Sequence, residues 1–313
     1  MQSVVQYTRI FARALFTGIG AEVQPQWGNH QQQRRKQNLQ LVTASSGISK
    51  TQRTSQFAKK WSFGDDACFV ATHKLADVIG VADGVGGWRQ YGVDPSTFPK
   101  YLMMTCERMV KEGRFSPQKP NDLLSDSYQE VLEAKSPLLG SCTACIVSLS
   151  REEKTVYAAN LGDSGFRIIR EGKMVHWSEE QQHYFNTPFQ LAVAPSTLQG
   201  MVFSDSPDVA DSTSFGVKEG DIILVGTDGL FDNLNEDMIL NHISQLKSDD
   251  KPESIQKVAN ALAKHAYQLA FDPDYMSPFA LEAQANGMDM KGGKPDDITV
   301  LLARVTDNTT EGQ

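Results

Sequence analysis

No apolar run in this 313-residue chain approaches the ~18–20 residues that cross a bilayer, so no membrane-spanning helix is expected. Basic residues are outnumbered, with 30 Lys and Arg against 38 Asp and Glu. The resulting formal charge of −8 argues against general nucleic-acid binding, which needs a basic footprint. Four cysteines are too few for a disulfide framework in a chain of this length. Cys142 and Cys145 form a CxxC, but no second pair completes a zinc site. Thr143, Cys145, Val147 and Leu149 alternate as on a strand, where residues three apart face opposite ways, so both cysteines read as packing residues. The six histidines (His30, His73, His176, His183, His242 and His265) are scattered singly, and there is neither a P-loop nor a GxGxxG turn opening a helix.

What remains is ordinary globular composition, 40% hydrophobic and 22% charged, with one asymmetry. Residues 1–60 hold nine Lys or Arg and a single acid, Glu22, a charge of +8 that leaves −16 for the remainder. The first twenty residues contain no acid. Arg9 and Arg13 are spaced to share one helix face, with Val5, Ile10, Phe11, Ala14 and Leu15 supplying apolar surface. Such a start resembles a mitochondrial transit peptide; a disordered tail is the plainer alternative. The polar stretch 30–40 reads as linker. The expected organisation is a presequence and basic linker over 1–40, one folded domain over 41–306, and a polar tail over 307–313.

From residue 57 onward, strand and helix signals alternate. Short apolar runs at 78–82, 142–149, 156–161, 166–170, 174–177, 222–226 and 298–305 read as strands, closely enough spaced in the middle of the chain to pair antiparallel. Periodic stripes predict helices over 98–111, 121–135, 236–246 and 253–271, with Asn121 as an N-cap. Runs of antiparallel strands flanked by helix pairs imply an α+β layered fold with no second domain.

Carboxylates stand at the edges of these strands: Asp65-Asp66, Asp83, Asp163, Asp228 and Asp296-Asp297. Each Asp-Gly alone is a common turn. Together they carry more weight, because crowded carboxylates repel unless cations neutralise them. An all-oxygen set selects hard ions, Mg²⁺ or Mn²⁺, over zinc.

The segments FGDDACF (63–69), GVADGVGGW (80–88), GSCTAC (140–145), NLGDSG (160–165), GTDGLFD (226–232) and KPDDIT (294–299) resemble, in order and spacing, the metal-dependent type 2C protein serine/threonine phosphatases. Residues 181–191 are similar to the mitochondrial branch of that family. The resemblance implies a four-layer α-β-β-α sandwich of two antiparallel sheets flanked by helices, with a binuclear Mn²⁺/Mg²⁺ site at one edge. It implies Asp83 as bridging ligand, Gly84 through its carbonyl, and Asp65 completing that ion's set. Asp228 and Asp296 match the ligands of the second ion, Asp163 an acid beside a weaker third, and Asp297 a supporting position. The implied reaction is hydrolysis of phosphoserine and phosphothreonine by a water held between two ions, with no covalent intermediate. Phosphorylated proteins are the expected partners, a monomer the expected state, and the mitochondrial matrix the expected location.

Two departures stand out. Val85 replaces a family His proposed as general acid, and Trp61 replaces an Arg that often binds the substrate phosphate. Lys59, Lys60 or Arg89 could substitute for that Arg. These losses leave a pseudophosphatase scaffold as one alternative, and a small-molecule phosphate-ester hydrolase as another.

Overall fold

Strand β4 (Ala76–Ala82) is buried at all seven positions, which requires cover on both of its faces. The computed structural model, which describes residues 38–51, 62–198, 200–246 and 249–307, shows that cover. The strands before and after it are β1 (Leu39–Ile48), β2 (Ser62–Phe63), β3 (Asp66–Thr72), β5 (Gly140–Cys142), β6 (Ala144–Ser150), β7 (Thr155–Leu161) and β8 (Gly165–Arg170). There follow β9 (Lys173–Trp177), β10 (Gln182–Tyr184), β11 (Thr187–Pro188), β12 (Leu191–Val193), β13 (Asp211–Gly216), β14 (Ile222–Gly226) and β15 (Ile298–Asp307). The helices are α1 (Thr97–Glu112), α2 (Pro120–Leu132), α3 (Asp228–Phe231), α4 (Glu236–Ile243), α5 (Pro252–Ala270) and α6 (Pro278–Ala285).

One sheet runs β13-β7-β6-β4-β3-β2 and the other β1-β15-β14-β8-β9. Neighbours within both are antiparallel, as expected for strands joined by short turns. Three apolar layers hold the stack. Phe98, Leu102 and Met109 of α1 and Leu124 of α2 pack on Phe69, Val78 and Ile146 of the first sheet. Ile79, Val81, Val147, Phe166, Val225 and Leu301 interdigitate between the sheets. Ile255, Val258, Leu262 and Ala266 of α5 cover Leu224, Val300 and Leu302. This is the expected α-β-β-α sandwich. Each fully buried Leu, Ile or Phe contributes about 1.5–3 kcal/mol relative to exposure.

Several expectations shift in detail. Helix α2 begins at Pro120 rather than using Asn121 as a cap; Lys119 occupies the N-cap without a side-chain bond, and proline's fixed φ suits the first helical position. It ends at Leu132, not 135. The strand expected over 142–149 is divided at Thr143 into β5 and β6, although the Thr143 N–H still donates to the Asp83 carbonyl at 3.0 Å, in the register of the β4–β6 ladder. Cys142 lies in the layer under α1 and Cys145 between the sheets, opposite sides as alternation requires. The segment 1–37, with its expected presequence and most of its linker, lies outside the described residues, as do 308–313, Lys59, Lys60 and Trp61.

Candidate metal centre

Antiparallel registers gather the acids. Ala67, second residue of β3, pairs with Ala82 at the end of β4, a register that brings Asp66 to Asp83 and Asp65 to Gly84. Gly226 pairs with Gly165 on one side and Val300 on the other, so Asp163, Asp228 and Asp296-Asp297 converge from three adjoining strand ends. Both sets meet at one edge of the sandwich. A cleft of about 170 Å³ there is lined by Asp83, Asp163, Asp228, Asp296, Lys50 and Lys294. Two larger cavities, of about 410 and 440 Å³, hold none of these acids.

Local structure fixes each group. The Asp83 backbone is held twice by Thr143, whose Oγ1 accepts the Asp83 N–H at 3.1 Å while its own N–H donates to the Asp83 carbonyl. Gly84 must be glycine on space alone, since a Cβ would sit 2.5 Å from the Pro95 carbonyl oxygen and 2.7 Å from that of Asp65. Strand alternation separates the two neighbouring acids. Asp65 takes Arg89 Nη2 at 2.6 Å, whereas Asp66 is buried between the sheets and accepts from Thr227 and Thr299 hydroxyls, each at 2.8 Å. Asp66 is thus a tie between the sheets, not a cleft residue. Asp297 accepts the Lys50 and Asp65 amides at 2.8 and 2.9 Å, so both of its oxygens are engaged by backbone.

The electrostatics are those of surplus negative charge. Burial pushes Asp83 well above the usual carboxylate range, and Asp66, Asp228 and Asp296 add to it. Asp163 rises for the same reason, burial first and then Asp228. Burial also acts to raise Asp228, but Lys294 and the Asp83 carboxyl together outweigh it and hold Asp228 below its ordinary value. Asp232 is pushed up to about 7 by burial, against the pull of Lys294. Asp83 and Asp228 lie within hydrogen-bonding reach of each other, two acceptors that need a proton or a cation between them.

Lys50 and Lys294 supply the positive charge. Lys50 Nζ donates to Asp296 Oδ1 at 2.8 Å and lies 3.7 Å from Asp65 and 3.6 Å from Asp297. Lys294 Nζ donates to Asp228 and Asp232. With the two ammonium groups in these places, no three carboxylates, histidines or cysteines among the described residues enclose a cation. The donor set nevertheless fits hard ions. It is all oxygen, and Asp65 Oδ2 and Asp228 Oδ1 are buried without a hydrogen-bond donor. Reading the sequence missed Lys50, Lys294 and Asp232. Only Asp232 carried a signal, its four-residue spacing from Asp228 across a helical turn.

No family model matches the sequence. Among solved structures, the photosystem II phosphatase PBCP superposes with a TM-score of 0.71 at 28% identity, covering 85% of this chain and 99% of its own. The catalytic domain of the serine/threonine phosphatase PstP, solved in complex with 2 manganese ions, shares the fold with a TM-score of 0.51 at 15% identity, covering 86% and 100%. Two antiparallel sheets between helical layers, with acids from both sheets meeting at one edge, define a metal-dependent protein serine/threonine phosphatase of the type 2C class. A human protein phosphatase PTC7 homolog is 55% identical over 309 residues, covering 99% of this chain and all of its own length. A PTC7 homolog of Drosophila grimshawi is 45% identical over 266 residues, covering 85% and 86%. On these similarities, the chain belongs to the PTC7-homolog family of protein phosphatases.

Proposed function

We propose that this chain removes phosphate from phosphoserine and phosphothreonine in mitochondrial proteins, with two Mn²⁺ or Mg²⁺ ions held by Asp65, Asp83, Gly84, Asp228 and Asp296. The observation that carries the reading is the crowding of Asp83, Asp163, Asp228 and Asp296 around one cleft, with Asp228 Oδ1 and the nearby Asp65 Oδ2 buried and without a donor. Such oxygens cost free energy unless a cation is present to accept them. When bound, the ions would lower the pKa of a water and neutralise phosphoryl charge.

The remaining work falls to the chain itself. Thr143 fixes the Asp83 backbone, and Asp297 fixes the amides of Asp65 and Lys50, so the acids stand preorganised. Arg89 takes one oxygen of Asp65 and leaves the other, Oδ2, without a donor, 3.7 Å from Lys50 Nζ. Asn186 and Pro188 also line the cleft. Val85, also on the cleft wall, has no proton to give a departing alkoxide. No cysteine lines the cleft, in keeping with hydrolysis that forms no covalent enzyme intermediate. The acid-free, arginine-bearing first twenty residues support the mitochondrial location.

The test is release of phosphate from a phosphothreonine peptide by the purified chain. Activity should require Mn²⁺ or Mg²⁺ and disappear in EDTA. Full turnover in chelator would defeat the proposal.

A further inference from the structure

Lys294 is a lysine buried in a place built to hold its ammonium still. Its Nζ donates to Asp228 Oδ2 at 2.5 Å and to Asp232 Oδ2 at 2.6 Å, and the Phe279 ring centroid lies 4.9 Å away. The backbone is clamped as well. Asn233 Oδ1 accepts the Lys294 N–H and Asn233 Nδ2 donates to its carbonyl, both at 2.9 Å. Asp163 stands near enough to add its field to the same point. Three acids therefore share one fixed positive charge.

The geometry around Nζ is informative. Two carboxylate oxygens 2.5 and 2.6 Å from one point approach the ~2.0–2.6 Å at which carboxylates hold hard divalent cations. A second observation points the same way: Asp228 is only 7% exposed, and its other oxygen, Oδ1, has no donor. An acid corner with this spacing would attract a cation if the ammonium did not fill it.

We propose that Lys294 is a permanent internal cation of the metal centre, occupying the place where Asp163, Asp228 and Asp232 would otherwise draw a divalent ion of their own. This rests on the reading of the acid cluster as a metal centre. It confines added metal to the ligands proposed above, Asp65, Asp83, Gly84, Asp228 and Asp296. The weaker third ion expected beside Asp163 then has no place in the wild-type chain. The lysine sets the number of ions and does not touch the reacting atoms.

Counting bound Mn²⁺ per chain tests this, by titrating the purified full chain and following free Mn²⁺ by electron paramagnetic resonance. Lys294→Met keeps the stem and removes the charge. Lys294→Gln also removes the charge but retains a donor for one carboxylate, and so guards against failure of the first variant to fold. Each should bind one more Mn²⁺ than the wild type. Lys294→Arg should bind the wild-type number, and adding Asp232→Asn to Lys294→Met should take the extra ion away. Equal stoichiometry in wild type, Met and Gln variants overturns the proposal while leaving the metal-centre reading intact, as does an extra ion in the Arg variant. A wild-type chain that binds no Mn²⁺ at all overturns both.

Discussion

The Asp297 carboxylate accepts the backbone N–H of Asp65 at 2.9 Å, tying the residue before β3 in one sheet to the residue before β15 in the other. Its second oxygen takes the Lys50 amide at 2.8 Å. An Asn side chain has one acceptor oxygen, so Asp297→Asn leaves either the buried Asp65 amide or the part-buried Lys50 amide unpaired, at a cost of about 1–3 kcal/mol. The thermal midpoint should fall, and turnover should drop about 10–100-fold, as for other supporting positions around metals. Asp83→Asn and Asp228→Asn should cost more turnover at saturating Mn²⁺ while leaving those two amides satisfied. If Asp297→Asn is the most damaging of the three to turnover, the roles given to Asp296 and Asp297 are reversed.

Gly64 makes the same contact sensitive from the other side. Its φ is +68°, and a Cβ there would lie 2.1 Å from Asp297 Oδ1. Gly64→Ala should therefore destabilise the fold by more than the ~1–2 kcal/mol of left-handed backbone strain alone. Denaturant titration of Gly64→Ala, Asp297→Ala and the double variant provides the check. The double variant should lose less than the two single losses added together, because the clash needs the carboxylate. Strict additivity would show that the clash is relieved elsewhere.

Thiol reagents should leave activity untouched. All four cysteines are free and buried, and burial pushes the Cys68 and Cys106 thiols up to about 12. Iodoacetamide on the folded protein should modify none of them within the time that EDTA abolishes turnover. Loss of activity on alkylation, with metal still bound, would point to a nucleophilic cysteine that the structure does not place near the cleft.

The layered fold and the ring of acids were legible because they depend on local pattern. Residues 78–82 of β4 and 222–226 of β14 are continuous apolar runs, and an acid one or two residues beyond such a run lies at the sheet edge. What could not be read depends on tertiary contact. Strand β1 is LQLVTASSGI, too polar to declare itself, and it exists because β15 offers ten residues of ladder. Lys50 reaches the acids only because β1 carries it there. The division at Thr143 follows from partners far away in sequence, since β5 pairs with β12 whereas β6 pairs with β4 and β7. Lys294 stood within a recognised motif, yet nothing in its sequence surroundings distinguishes a buried ammonium from a solvated one.

The first 40 residues should carry a fluorescent reporter to mitochondria, given their acid-free start and the arginines four apart. Arg9→Glu with Arg13→Glu should abolish import, because the helix face then loses its positive charge. A reporter that remains cytosolic with the native segment counts against the location.

Val85 makes a prediction about leaving groups. It lies on the cleft wall beside Asp83 and Gly84, with its N–H donated to the Ser141 carbonyl at 3.1 Å and an extended backbone, φ −64° and ψ 106°, that histidine adopts freely. Serine and threonine alkoxides must gain a proton as they depart, whereas p-nitrophenolate leaves without help. A histidine at this position would add an acid that titrates near neutrality. Val85→His should therefore raise turnover of a phosphothreonine peptide by up to about 10²-fold, the lower end of general-acid contributions, and change p-nitrophenyl phosphate turnover much less. The ratio of the two rates, followed from pH 6 to 8, separates this from an effect on folding or metal loading, which would move both substrates together. The peptide advantage should fade as pH rises above the new imidazole's pKa, since only the protonated ring can donate. A gain confined to the aryl substrate would leave Val85 as a packing residue beside Asp83, with no place for an acid on that wall.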